Sequence, residues 1–161
     1  MRRIVYITAL VFIFFLLEFF LYNLVGWWFQ PQLLTLLIVF FNLYLGVRYG
    51  LYTAVLAGLI VDSFSTSVFG LNLVSFIVVG YMTTFLRKYV YYRGSRLSRL
   101  ILVFIILIID FGCRLILHAM LGNFDPVGAF NYAFVPGLVA TLLITTTTFQ
   151  QLRQCASKLL V

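Results

Sequence analysis

Every basic residue in this chain except one stands at or near the end of an apolar run, and those ten fall on one side of a simple up-and-down threading. The runs lie at about 4–25, 33–47, 50–61, 70–86, 100–121 and 130–149. Arg2 and Arg3 precede the first run, Arg48 closes the second, and Arg153 and Lys158 follow the sixth. The loop after the fourth carries Arg87, Lys88, Arg93, Arg96 and Arg99, with Tyr89, Tyr91 and Tyr92 between them. Only Arg114 lies inside a run. Cytoplasmic loops of membrane proteins carry the excess of Lys and Arg, so both termini are expected in the cytoplasm, with six membrane-spanning helices between them. An odd number of spans would scatter the charges to both sides.

Composition supports the same class. Of the 161 residues, 64% are hydrophobic and 9% charged, with a mean hydropathy of +1.13; soluble domains carry roughly 25% charged residues. A transmembrane barrel would alternate apolar and polar residues in segments of about ten, whereas these runs are continuous. The expectation is an all-α, multi-pass membrane protein forming one six-helix domain over residues 1–161. The net charge of +7 does not point to nucleic acid, because the charges sit where topology needs them. The basic loop also attracts anionic lipid headgroups. The N-terminus has the charge of a signal peptide, but its apolar run is too long and lacks a small-residue cleavage site, so it reads as the first span. Trp27 and Trp28 mark its far interface.

A ribbon of small residues organises the middle of the chain. Gly46, Gly50, Ala54 and Gly58 recur every four residues, and the next step lands on Asp62. That spacing keeps them on one helix face and lets another helix approach closely. The ribbon serves either packing within the chain or an interface with another protein's single span. The third run is short for a bilayer that needs about 20 residues, so it is tilted, extended through 63–66, or partly re-entrant. Asp62 has two readings: a cap for the next helical turn, or part of an external contact surface.

Polar groups inside apolar runs are few. Asp110, Arg114 and His118 are four apart and share a face of the fifth run. An Asp and an Arg so placed can pair with each other. The face is either a structural ion pair turned to the bundle interior or a polar lining for a ligand or a partner's helix; a proton relay would draw on Glu18 or Asp62. Glu18 has no basic neighbour three or four positions away. It either snorkels outward or meets a donor on another helix or partner. The Thr145–148 run is expected to bond its own helix backbone. Cys113 and Cys155 form no metal or redox spacing. No catalytic, cofactor-binding or metal motif is present in the sequence.

Between Pro31 and Arg87 the chain resembles a known family. Pro31 leads the second run; Arg48-Tyr49-Gly50, Gly58-Leu59 with Asp62, Gly70-Leu71-Asn72 and Gly80-Tyr81 follow in order. This order and spacing is similar to the rod shape-determining protein MreD family. The resemblance implies a non-catalytic subunit of the bacterial elongation machinery in the inner membrane. It implies association with MreC and with the actin-like MreB, and through them with RodA and its transpeptidase partner, acting on cell shape and lateral-wall peptidoglycan. It also implies the six-helix fold of the substrate-binding subunits of energy-coupling-factor transporters. That kinship supplies the alternative function, a vitamin-binding transporter subunit. Its usual A-x-x-x-A docking motif is missing here, since the first run has a lone Ala9. An ion-coupled permease would rest only on Glu18, Asp62 and Asp110, without the broken-helix pair such proteins use.

Overall fold

The computed structural model describes residues 2–25, 31–65, 69–90, 96–120 and 136–145. Among them every regular element is a helix: α1 (Arg2–Val25), α2 (Leu33–Tyr44), α3 (Val47–Phe64), α4 (Leu71–Val90), α5 (Arg96–Met120) and α6 (Pro136–Thr145). Three segments are long and apolar enough to cross a membrane: Ile4–Leu24, Val47–Phe64 and Leu97–Leu117. The remaining helices are two shorter apolar ones, α2 and α6, and α4, which ends on Arg87 and Lys88 in its last turn.

One departure from the expected boundaries lies between α2 and α3. The second run was expected to continue to Val47 and to be closed by Arg48. The helix stops at Tyr44, and Arg48 falls in the first turn of α3. The cause is Gly46, whose φ of +98° is a conformation that L side chains rarely adopt. The N–H groups of Leu45 and Gly46 both reach the Phe41 carbonyl, at 2.9 and 3.1 Å, and the Gly46 carbonyl then accepts from Gly50 at 3.1 Å to begin α3. Gly46 is therefore a turn residue and not the first member of the packing ribbon. A β-carbon there would meet nothing within 4 Å.

At its other end α3 runs past the expected limit at Val61, to Phe64. Ser63 does not interrupt it, because its hydroxyl bonds the Leu59 carbonyl at 2.7 Å, a pattern helices tolerate. α3 thus has 18 residues, against the shorter span expected. Gly70, with φ +102°, makes the corresponding turn into α4, and its carbonyl accepts from Val74 at 3.0 Å.

The core is built around α2. Every residue from 33 to 43 is buried, so a helix apolar all round is enclosed all round. α1 presents Ile7, Val11 and Phe15 to it, at steps of four, while Val5, Phe12, Leu16 and Phe20 on the same helix stay exposed. Exposure of that kind is unfavourable in water but not against lipid tails. α5 contributes Leu102, Val103, Ile106 and Leu107.

α3 and α4 make the most extensive helix pair. A β-carbon on Gly58 would stand 2.5 Å from the Leu73 Cα, and one on Gly50 would stand 2.7 Å from the Asn42 Cβ. From α4, Gly80 returns the arrangement, with a β-carbon position 3.5 Å from Ala54. The small-residue face of α3 is therefore occupied by α2 and α4 of the same chain, the close backbone approach such faces allow.

Candidate functional site

Hydrogen bonding concentrates polar groups at the end of the bundle where α3 stops and α4 begins. Asp62 is buried in the last turns of α3, with 3% of its surface exposed. Its carboxylate accepts four hydrogen bonds: from the N–H groups of Gly70 (3.0 Å), Asn72 (3.1 Å) and Leu73 (3.0 Å), and from the Asn72 side-chain amide (2.9 Å). The first turn of a helix has N–H groups without intrahelical acceptors and a partial positive charge. Asp62 supplies both the acceptors and the countercharge. Of its two sequence readings the structure takes the cap, and the side chain is not part of an external surface.

Asn72 carries the network onward. Its Oδ1 accepts from Arg114 Nη1 at 3.0 Å. Arg114 pairs with Asp110 one turn back on α5, Nε to Oδ2 at 3.2 Å, and its guanidinium carbon lies 5.2 Å from the centre of the Phe76 ring. Asp110 is fully buried. It accepts further from the Ser75 hydroxyl on α4 and from the Thr35 hydroxyl on α2 at 3.5 Å. One connected set of polar side chains thus ties α2, α3, α4 and α5. A buried carboxylate is tolerable only when paired and hydrogen-bonded, and this one is both. His118 follows on the same helix two turns beyond Asp110 by spacing; its side chain lies outside the described residues.

Glu18 belongs to a second cap. It is half-buried, and Oε2 accepts the Leu34 N–H in the first turn of α2 at 3.2 Å. The outward-snorkelling reading is corrected: Glu18 meets a donor on another helix. The donor was not legible because it is a backbone N–H, freed by the start of α2 next to Pro31. Beside it the Gln32 N–H donates to the Thr141 hydroxyl of α6 at 2.9 Å. Neither α2 nor α4 is capped by its own preceding side chain; acceptors come from α1, α3 and α6.

The opposite end is held by an asparagine. Asn42 is fully buried and its amide donates to the Gly80 carbonyl at 2.6 Å and the Thr84 hydroxyl at 3.0 Å. Arg87 donates to the Asn42 carbonyl at 3.2 Å, and Arg99 to the Tyr44 hydroxyl at 3.4 Å. Two members of the expected basic loop therefore brace helix ends, where cations suit the exposed carbonyls. Lys88 is exposed. Arg93 lies outside the described residues, as does the side chain of Arg96. So do Trp27, Trp28, the 122–126 turn, Thr146–148 and Cys155; Cys113 is a free, half-buried thiol. Thr145 bonds the Thr141 carbonyl of its own helix.

Asn42, Asn72, Ser75, Thr35 and Thr141 were not singled out from sequence as members of these clusters. The available signal was weak but present: each is a hydrogen-bonding side chain inside or beside an apolar run, where it must find a partner. Among the described residues no group of three or more His, Cys, Asp or Glu could hold a metal ion. The arrangement joins helices, neutralises their exposed ends, and places a single carboxylate, Glu18, on the wall of a side cavity.

A family model, that of the rod shape-determining protein MreD, matches residues 1–149. No curated protein and no solved structure matches the chain.

Proposed function

Since the chain belongs to the MreD family of rod shape-determining proteins, we propose that it is a non-catalytic membrane subunit of the bacterial elongation complex. In this reading it binds MreC directly, associates with MreB, RodA and the RodA transpeptidase partner, and helps control cell shape and lateral-wall peptidoglycan synthesis. It threads the inner membrane six times as one domain over residues 1–161, with both termini in the cytoplasm. The one-sided placement of Arg2, Arg3, Arg48, the Arg87–Arg99 group, Arg153 and Lys158 supports that threading. The energy-coupling-factor fold remains part of the proposal and is supported by the helix count. The vitamin-transporter alternative draws no support from the family assignment.

The observation that carries the function is the family match across residues 1–149 of 161. The geometry adds one restriction. Gly50, Ala54 and Gly58 already lie against this chain's own helices, so a partner's span has to use a different surface. The expected result is recovery of MreC when the tagged chain is purified in mild detergent and its companions are identified by mass spectrometry. Recovery of an ATPase with a transmembrane coupling subunit instead would reverse the assignment in favour of transport.

A further inference from the structure

A side cavity of about 310 Å³ opens between α1, α2 and α3, next to Glu18. Phe15, Phe19, Tyr22 and Phe64 line it together with Leu34 and one carboxylate, that of Glu18. The Phe15 ring lies 5.1 Å from that of Phe64 and 6.3 Å from that of Phe19, centre to centre. Ring faces carry negative electrostatic potential, so a cavity lined by aromatic side chains and an anion favours a cation, and the attraction grows where water is excluded. Among the described residues no Lys or Arg forms an ion pair with Glu18. The guanidinium of Arg114 is engaged with Asp110 and Asn72.

The depth of the cavity indicates where its cation comes from. Leu34 is in the first turn of α2, and Ser65, another wall residue, is the C-cap of α3. The cavity therefore sits at the level where two helices enter and leave the bundle, at the end of α1 opposite Arg2 and Arg3. Its rim is apolar and faces outward: Phe19 is 53% exposed and Phe64 67%. Below it runs the exposed face of α1, with Phe12 and Leu16. A ligand with an ammonium at headgroup depth and acyl chains along α1 fits both the polar point and the apolar track. A free amine would have no use for the track.

We propose that this cavity binds the ammonium headgroup of an aminophospholipid, held by Glu18 and the rings of Phe15, Phe19, Tyr22 and Phe64. The ammonium donates to the carboxylate while the rings contact its remaining faces. A phospholipid without an amine offers nothing to Glu18, and a trimethylated amine keeps the ring contacts but loses the donated hydrogen bond.

The test uses the full-length protein in mild detergent, with native mass spectrometry counting retained lipid. Phosphatidylethanolamine, phosphatidylcholine and phosphatidylglycerol are titrated separately, alongside soluble phosphoethanolamine. The expected result is one phosphatidylethanolamine bound at least about tenfold tighter than phosphatidylglycerol, with phosphatidylcholine between them. Glu18→Gln retains an acceptor for the Leu34 N–H and should lower the phosphatidylethanolamine affinity about tenfold. Phe64→Ala alters an exposed ring and should weaken the same lipid without unfolding the chain. Equal retention of the two lipids, or unchanged binding in both variants, would overturn the proposal. So would soluble phosphoethanolamine binding as tightly as the lipid, or a lysine-bearing single-span peptide occupying the cavity in place of the lipid.

Discussion

The two ends of the α2–α4 packing are held by different chemistry. At one end the neutral amide of Asn42 joins α2 to α4 through the Gly80 carbonyl and the Thr84 hydroxyl. At the other, Asp110 and Arg114 join α5 to α2 and α4, and Asp62 joins α3 to α4. An amide without a partner in the membrane costs little more than one hydrogen bond, and a chain dissolved in lipid finds substitutes for it. A buried carboxylate without its cation has no comparable substitute. The Asn42 amide should therefore be replaceable, whereas the carboxylate end should fail when either member of a pair is removed.

Arg114→Leu breaks the comparison most severely, since it leaves Asp110 buried and unpaired. A loss of about 3–5 kcal/mol in unfolding free energy, measured by titration from mild detergent into SDS, is expected. Adding Asp110→Leu removes the stranded charge, so the double variant should recover most of that loss. If the double variant were no more stable than the single, the pair would not be the unit that matters. Asp62→Ala strips the start of α4 of four accepted hydrogen bonds. It should cost about 2–3 kcal/mol by the same titration, with faster amide hydrogen exchange confined to the first turn of α4. Asn42→Ala should cost about 1 kcal/mol, because the Gly80 carbonyl keeps its place in a helix. A loss for Asn42→Ala as large as that for Arg114→Leu would erase the distinction between the two ends.

How much of this was legible beforehand varied with the range of the interaction. The apolar runs located α1 within two residues and the end of α5 within one, because a span is a local property of composition; the polar first turn of α5, from Arg96, carries no such signal. Asp110 and Arg114 were legible as neighbours because they lie one turn apart on one helix. Asn72, Ser75 and Thr35 reach the same cluster from positions 35 to 75 residues distant from their partners, and periodicity has no access to that. Gly46 shows a different failure. Spacing of four assigns it to a helix face, while its positive φ makes it the break between two helices; the same residue type serves both roles. The sequence leaves two readings open for Glu18 because its partner is main chain, and main-chain donors are invisible until a helix start has been located.

The borrowed caps have a consequence for how the chain comes to be made. A ribosome delivers α1 before α2 and α6 after it, yet the start of α2 takes one acceptor from each, Glu18 and Thr141. During synthesis α2 therefore waits, half-finished, through the arrival of three more helices. α4 has no such delay, since Asp62 is already in place when Gly70 emerges. Closure of this corner of the bundle thus waits for α6, and a chain stopped before Thr141 would carry an unanswered N–H at the entrance to its own core.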